Sequence, residues 1–209
     1  RTYVAWCWKE SATAGFDIVA YTGNATNRTI SHSLSAVPHL MVVKCRSANS
    51  RGTTVWHNNL AGTHALDFNL TDGQYESAAT WNSTTPTSSV FSVGTRLATN
   101  DDTETFIAYL FTSKQGFSKF GSYTGNGNAD GSFVYTGFRP AFLVVKQSSA
   151  DGEGWYMWDN KRSSSGGANE NNRYLIGSAN SAEGALGVDC DFLSNGFKHY
   201  YGADASNDA

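Results

Sequence analysis

Tyr21-Thr22-Gly23-Asn24 and Tyr123-Thr124-Gly125-Asn126 are two copies of one tetrapeptide, 102 residues apart (123 − 21). At the same spacing, Val42-Val43-Lys44 falls on Val144-Val145-Lys146 and Trp56 falls on Trp158. One spacing that is kept over several motifs is the signature of an internal repeat. We therefore predict two tandem units of about 102 residues, the first over residues 1–104 and the second over residues 105–209.

A further match relates the beginning of the chain to its middle. Phe106-Ile107-Ala108-Tyr109-Leu110-Phe111 is similar to Tyr3-Val4-Ala5-Trp6-Cys7-Trp8 at a spacing of 103 (106 − 3). Both segments alternate aromatic and small apolar residues, as strands with one buried face do. We expect residues 1–104 to open with the closing strand of a preceding copy, in a parent chain that continues on both sides. In this reading Cys7 is a small buried thiol.

Short β-branched and aromatic runs bounded by Gly, Asn, Ser and Asp predict strands along the whole chain. In each tetrapeptide, a strand is expected to end in a tight turn whose glycine takes a positive φ. Only Ser181–Gly187 is expected to form a helical turn. We predict an all-β fold, an antiparallel β-sandwich or jelly roll in which the two units form two domains or one fused sandwich. The predicted strands are Thr2–Lys9, Phe16–Tyr21, Thr29–His32, His39–Arg46, Thr54–His57, Ala65–Leu70, Val90–Val93, Thr105–Thr112, Phe133–Tyr135, Ala141–Gln147, Trp155–Asp159, Tyr174–Gly177 and Phe197–Tyr200.

Charge and composition exclude several classes of partner. The net charge is −3 and the 15 Lys and Arg residues form no cluster, so no nucleic-acid partner is expected. Every apolar run is far shorter than the roughly 20 residues of a membrane-spanning helix, so we expect no membrane insertion. The three cysteines are widely spaced and fit neither a disulfide framework nor a zinc site. No cofactor is predicted.

Aromatic residues are the candidates for ligand binding, because their flat faces stack on sugars. Trp56 and Trp158 occupy matching positions in the two copies, which indicates a shared core layer. Aromatic residues present in one copy only are better candidates, because a duplicated scaffold diverges in its loops. By this criterion the predicted ligand-binding residues are Trp81, Trp155, Tyr75 and Tyr201.

No catalytic or metal-binding constellation is identified in the sequence. The five histidines show no metal-ligand spacing, and no Gly-x-Ser-x-Gly motif is present. Glycoside hydrolysis needs two carboxylates across a cleft, and no pair can be nominated from sequence spacing. Three acidic loops are read as solvated turns, with Ca²⁺ binding left open. They contain Asp101, Asp102 and Glu104; Asp151 and Glu153; and Asp189 and Asp191.

Longer strings in the chain resemble a known group of proteins. These are residues 81–94 (WNSTTPTSSVFSVG), 116–127 (GFSKFGSYTGNG), 135–142 (YTGFRPAF) and 191–198 (DFLSNGFK). They look like the repeated modules of tail-fibre and tail-associated proteins of bacteriophages, especially marine ones. The resemblance implies a lectin-like sandwich, similar to concanavalin or SPRY domains, in an extracellular virion fibre. It brings no catalytic residue.

The leading hypothesis is therefore a non-catalytic fibre or appendage module that binds bacterial cell-surface glycans. We expect a homo-oligomer, and the analogy with fibres indicates a trimer. One alternative is a polysaccharide depolymerase acting on the same glycans. Another is a structural spacer or decoration module without a ligand.

Overall fold

The computed structural model describes residues 5–162, 170–184, 190–200 and 206–208. They contain fifteen strands and two four-residue helices, and nine strand pairs with an assigned register are all antiparallel. The predicted all-β class is confirmed. In chain order, the elements are β1 (Phe16–Thr22), β2 (Arg28–Ser31), β3 (Leu40–Cys45), β4 (Thr53–His57), β5 (His64–Asp67), β6 (Tyr75–Glu76), α1 (Ala78–Trp81), β7 (Val90–Val93), α2 (Leu97–Asn100), β8 (Thr105–Phe111), β9 (Phe133–Tyr135), β10 (Phe142–Lys146), β11 (Trp155–Asp159), β12 (Glu170–Asn171), β13 (Leu175–Ile176), β14 (Cys190–Leu193) and β15 (Gly196–His199).

The chain divides into two compact units. Unit 1 comprises Arg1–Ala65 and Glu76–Lys114, and unit 2 comprises Leu66–Tyr75 and Gln115–Ala209. The sequence places the boundary between residues 104 and 105 instead. That boundary would separate β8 from β1 and β3, with which β8 forms two antiparallel pairs in unit 1.

Strand β8 is the central feature of unit 1. Strands β1, β8, β3 and β4, which lie wholly in unit 1, are neighbours in that order in one sheet, and β2 and β7 form a separate pair. Alternate residues of β8 face the core, since Phe106, Ala108 and Leu110 are all fully buried. Strand β3 shows the same period of two, with Met41 and Val43 buried. Residues i and i+2 lie on one face of a strand, so this alternation places a continuous apolar layer on one side of the sheet.

Unit 2 contains two smaller sheets, one with the order β10-β11-β13 and one with the order β12-β14-β15-β9. Their buried faces share one aromatic core. It consists of Trp158, Tyr174, Cys190, Phe192 and Phe197, and Tyr123, Val134, Leu143, Val145, Tyr156 and Ile176 pack against it. Trp158 of this core and its match Trp56 are both buried, as the sequence predicted.

The first Tyr-Thr-Gly-Asn motif is anchored to α2 by hydrogen bonds. The Tyr21 hydroxyl donates to the Thr99 carbonyl at 2.6 Å. The fully buried Asn100 amide accepts the Asn24 N–H at 3.1 Å and donates to the Gly94 carbonyl at 2.7 Å. A single asparagine therefore holds the loop after β1 against the loop after β7.

The second motif makes the same kind of contact in unit 2. The Tyr123 hydroxyl donates to the Ser206 carbonyl, and the Asn126 N–H donates to the Asn207 side chain at 3.2 Å. Asn207 is buried and donates in turn to the Asn128 carbonyl at 2.8 Å. Asn207 thus has the role in unit 2 that Asn100 has in unit 1.

The glycine of each motif is required for a different reason from the predicted one. Gly23 and Gly125 do not have positive φ. Instead, a Cβ at Gly23 would lie 1.8 Å from the Asp101 carbonyl oxygen, and a Cβ at Gly125 would lie 2.1 Å from that of Asp208. Close approach of two backbone segments, not turn geometry, therefore excludes a side chain at both positions.

Two other local predictions are wrong. The structure describes residues 5–9 of the predicted strand Thr2–Lys9. These residues and residue 10 lie outside every strand. Cys7 among them is exposed, against the expectation of a buried thiol. Of the predicted helical turn Ser181–Gly187, residues 181–184 form no helix, because Gly184 makes an antiparallel bridge to Tyr174, and residues 185–187 lie outside the described residues. Among the residues that the structure describes, the helical turns are α1 and α2. No helix in the part of the chain that the structure describes is long and apolar enough to cross a membrane.

Candidate functional site

Two of the four residues predicted to bind ligand are core residues. Trp81 is completely buried, and Trp155 is 7% exposed. The Trp155 indole N–H donates to the Asp67 carbonyl at 3.1 Å, and its ring lies 5.0 Å from that of Phe68. A buried ring presents no face to a ligand, so these two residues are corrections to the sequence-based site. Tyr75 is half-buried in β6, and Tyr201 lies outside the described residues.

The acidic loops contain structural contacts. Asp101 is ion-paired with Arg51, whose Nε lies 2.9 Å from the Asp101 Oδ2. Asp151 accepts the Gly73 N–H at 2.7 Å. Within the described ranges, no group of three His, Cys, Asp or Glu side chains is close enough to hold a metal ion. Asp189 lies outside those ranges.

The outer side of unit 2 carries a surface that the sequence analysis missed. Phe133 and Tyr135 alternate with Val134 in β9 and are 47% and 66% exposed. Alternate strand residues share one side of a sheet, about 7 Å apart. Both aromatic rings therefore lie on the side of the sheet opposite the core, toward which half-buried Val134 packs.

Strand β15 supplies the polar part of this surface. Its register with β9 places Lys198 opposite Phe133 and Gly196 opposite Tyr135. The Phe133 ring covers the glycine, because a Cβ at Gly196 would lie 2.8 Å from a ring carbon. Lys198 forms an ion pair with Asp130, whose side chain is 80% exposed. Directly cross-strand residues share a side of the sheet, so Lys198 and Phe133 project from the same side.

Tyr200 continues the same surface beyond the end of β15. The Lys198 ammonium lies 5.2 Å from the centre of the Tyr200 ring, a cation–π contact. The hydrogen bond to Asp130 raises the pKa of Lys198, and desolvation and the neighbouring Asp191 carboxylate raise the pKa of Tyr200. Both side chains therefore keep their protons at neutral pH. We call Phe133, Tyr135, Lys198, Tyr200 and Asp130 the aromatic face.

Strand β15, which carries Lys198, is packed into the core on its inner side. Phe197 is 4% exposed and His199 is completely buried, so β15 alternates between core and solvent. The His199 ring lies 5.3 Å from Trp158 and 5.4 Å from Phe197. Exposed Phe133 and Tyr135 and half-buried Lys198 are thus mounted on β9 and β15, strands whose other side is packed into the unit 2 core.

The criterion used on the sequence does select these residues. At the spacing of 102, Phe133 falls on Ser31 and Tyr135 on Ser33, so both aromatics occur in one copy only. In unit 1, β2 pairs with β7 and carries Thr29 and Ser31 as its exposed residues. The sequence shows that Phe133 and Tyr135 are aromatic in one copy only, but this is equally true of Trp81. Only the solvent exposure of the side chains in the structure distinguishes them from Trp81.

Comparison with known proteins identifies a family. The sequence profile of a family described as "Domain of unknown function (DUF7483)" matches residues 1–209. No curated protein and no solved structure matches the chain. Because the profile covers all 209 residues, the chain belongs to the DUF7483 family, whose function is unknown.

Proposed function

We propose that this chain is a non-catalytic module that binds bacterial cell-surface glycans through the aromatic face of unit 2. The observation that carries the proposal is the exposure of Phe133 and Tyr135, at 47% and 66%, beside the Lys198–Asp130 pair. Large aromatic side chains on a protein surface that are held by a packed strand are typical of a binding site rather than of a core.

The chemistry of the aromatic face suits a sugar. The apolar C–H side of a pyranose ring stacks on Phe and Tyr rings, which offer a large flat area with few rotatable bonds. Asp130 accepts hydrogen bonds from sugar hydroxyls, while Lys198 and the Tyr200 hydroxyl donate to sugar oxygens. All five side chains lie on an open sheet surface, so each contact is weak and avidity requires several copies of the site.

The setting in which such a site would act comes from the resemblance of the chain to tail-fibre modules. We place the module in an extracellular fibre or appendage of a virion, as a β-sandwich unit repeated along a trimeric fibre. Three copies of the aromatic face on one particle would supply the avidity that a shallow site lacks.

Binding of the full chain to an array of bacterial lipopolysaccharide and capsule glycans tests the proposal. The variant Phe133→Ala with Tyr135→Ala is expected to weaken binding by roughly tenfold or more, because each stacked aromatic contributes about 0.5–1.5 kcal/mol. The matched control is Phe117→Ala, which removes an aromatic of unit 2 that is 61% exposed and outside the aromatic face.

The outcomes separate the three hypotheses. Equal weakening by the double variant and by Phe117→Ala would show that the aromatic face is not the binding site. Release of reducing sugar from a bound glycan would make the protein a depolymerase. Silence on the whole array, together with incorporation into purified virions, would favour a structural module without a ligand.

A further inference from the structure

The cation of the aromatic face lies between two carboxylates. Lys198 forms an ion pair with Asp130 and is directly opposite Asp191 in the register of β14 with β15. Directly opposite residues share one side of a sheet, and the strand neighbours of Asp191, Cys190 and Phe192, are completely buried on the other side. Asp191 therefore projects from the same side as Lys198. One ammonium and two carboxylates give this group a net charge of −1 (1 − 2).

The two carboxylates affect the pKa values of their neighbours in the same direction. The hydrogen bond to Asp130 is the main reason that the pKa of Lys198 is raised, and the charge of Asp191 adds to it. Desolvation, followed by the charge of Asp191, raises the pKa of Tyr200. In both cases the carboxylates favour the more positive form of the neighbouring group. The electrostatic potential at this side of the sheet is therefore negative.

The sequence of unit 2 as a whole carries charge of the same sign. Unit 2 contains seven Lys and Arg residues and twelve Asp and Glu residues, a net charge of −5 (7 − 12). Unit 1 contains eight and six of them, a net charge of +2 (8 − 6). The negative charge of the chain therefore comes from the unit that carries the aromatic face. Such a field repels an anionic ligand and attracts a cationic one.

The exposed aromatic rings add a second preference for positive charge. A cation within about 6 Å of the centre of an aromatic ring is attracted by the negative face of that ring. The protein itself makes such a contact, between the Lys198 ammonium and the Tyr200 ring, at 5.2 Å. Phe133 and Tyr135, at 47% and 66% exposure, offer further ring faces to solvent. A ring that stacks on a sugar therefore also attracts an ammonium group that this sugar carries.

We propose that the aromatic face selects glycans whose sugars carry free, protonated amino groups. This inference rests on the proposed glycan binding and names the substrate class of that site. The contact for the sugar ammonium is the Asp130 carboxylate, whose side chain is 80% exposed. Only one of its two oxygens accepts the hydrogen bond from Lys198, so the other is available to a ligand. N-acetylated sugars lack the ammonium for this contact, and acidic sugars are repelled by the surrounding charge.

Lys198 competes with the ligand for the Asp130 carboxylate. Loss of either side chain breaks the ion pair, but only the loss of Lys198 leaves the carboxylate free for a sugar ammonium. The two partners of the pair therefore have opposite predicted effects on the binding of an amino sugar. A pair that served only to hold the loop before β9 would give two effects of the same sign.

Titration of the full chain with two matched oligosaccharides tests the preference for charge. The tetramers of glucosamine and of N-acetylglucosamine have the same rings and linkages and differ in their amino groups. With its amines protonated, the glucosamine tetramer is expected to bind at least about fivefold more tightly at low salt, because it makes several weak ionic contacts. This preference should largely disappear at about 1 M salt, where the screening length is about 3 Å. Spermidine, which has ammonium groups but no ring to stack, should bind at least about tenfold more weakly than the glucosamine tetramer.

Three variants test the residues. Asp130→Asn keeps the shape of the side chain and removes its charge, so it should weaken binding of the glucosamine tetramer by about threefold to fivefold, and more than it weakens binding of the N-acetylglucosamine tetramer. Lys198→Met keeps an apolar stem and should strengthen binding of the glucosamine tetramer by about twofold or more. The matched control is Asp72→Asn, which removes the same charge from an exposed residue of unit 2 outside the aromatic face and should have a smaller effect than Asp130→Asn.

The outcomes separate this inference from the proposed function. Equal affinity for the two tetramers, or effects of the same sign for Asp130→Asn and Lys198→Met, would overturn the selection of amino sugars. Spermidine binding as tight as that of the glucosamine tetramer would overturn it as well, because the face would then attract any polycation. The proposed function itself fails if no glycan is bound, or if Phe133→Ala with Tyr135→Ala leaves the binding of every glycan unchanged.

Discussion

The buried His199 predicts that acid destabilises unit 2. Both ring nitrogens of this completely buried residue lack a hydrogen-bond partner among the described residues, and the ring is packed against Tyr123, Trp158 and Phe197. Burial lowers the pKa of His199 from 6.5 to about 4. The unfolded chain therefore binds a proton below pH 6.5 that the folded chain does not bind until about pH 4. The free energy of unfolding must fall as the pH is lowered through this window.

The size of the effect follows from the two pKa values. Between pH 7 and pH 5 the linkage relation gives a loss of about 2 kcal/mol, and the full loss below pH 4 approaches about 3 kcal/mol. Urea unfolding followed by tryptophan fluorescence at pH 5, 6 and 7 measures it, with Trp155 and Trp158 as reporters in unit 2. His199→Phe keeps an aromatic ring in the core and removes this titration, so the free energy of unfolding of unit 2 should be nearly constant over this range.

A control separates His199 from the second affected histidine. Burial, with a smaller contribution from His39, lowers the pKa of His57 in unit 1, so His57 contributes acid sensitivity of the same sign. The His57→Phe variant should therefore retain the acid sensitivity of unit 2. An equal loss of unit 2 stability by His199→Phe and by the unmodified protein between pH 7 and pH 5 would show that His199 is not the source of the acid sensitivity.

Three further substitutions test the packing of the two units. Asn100→Leu leaves several buried polar groups unpaired and should lower the free energy of unfolding of unit 1 by about 3 kcal/mol in urea unfolding. Unchanged stability would show that the hydrogen bonds of the Asn100 amide are dispensable. Gly23→Ala drives a Cβ into the Asp101 carbonyl and should cost about 3 kcal/mol, while Gly121→Ala, which meets no atom within 4 Å, should change the free energy of unfolding by less than about 0.5 kcal/mol. Trp81→Ala should lower the free energy of unfolding by about 3–5 kcal/mol, and an unchanged free energy of unfolding would contradict the burial of Trp81.

The strand positions were largely predictable from the sequence. The predicted bounds of Val90–Val93 and Trp155–Asp159 are those of β7 and β11, and β1 extends the predicted Phe16–Tyr21 by one residue. Such runs are short, rich in β-branched and aromatic residues and bounded by turn-forming residues, and these are local properties. The strand predicted over Thr2–Lys9 has the same local properties, but residues 5–9 form none. A strand requires a partner as well as a sequence pattern.

The candidate site was less predictable. Presence in one copy only is a property shared by buried Trp81 and exposed Tyr135, and nothing local to either residue tells them apart. The role of Asn207 in unit 2 could not be predicted from the sequence for a different reason. Asn207 follows Asn100 by 107 residues (207 − 100) and not by 102, so five extra residues in unit 2 remove it from the matching register.

By itself, the sequence determined the all-β class, most strand positions and the matched Tyr-Thr-Gly-Asn motifs, because strand periodicity and turn chemistry act between near neighbours. Only the tertiary structure decided which aromatic rings are buried, which asparagine closes each motif and which glycines are excluded from bearing a side chain by a neighbouring carbonyl. These outcomes depend on segments far apart in the chain that meet only when it folds. The packing of β15 against its neighbours, with His199 and Phe197 inside and Lys198 outside, is what leaves Phe133 and Tyr135 exposed to solvent.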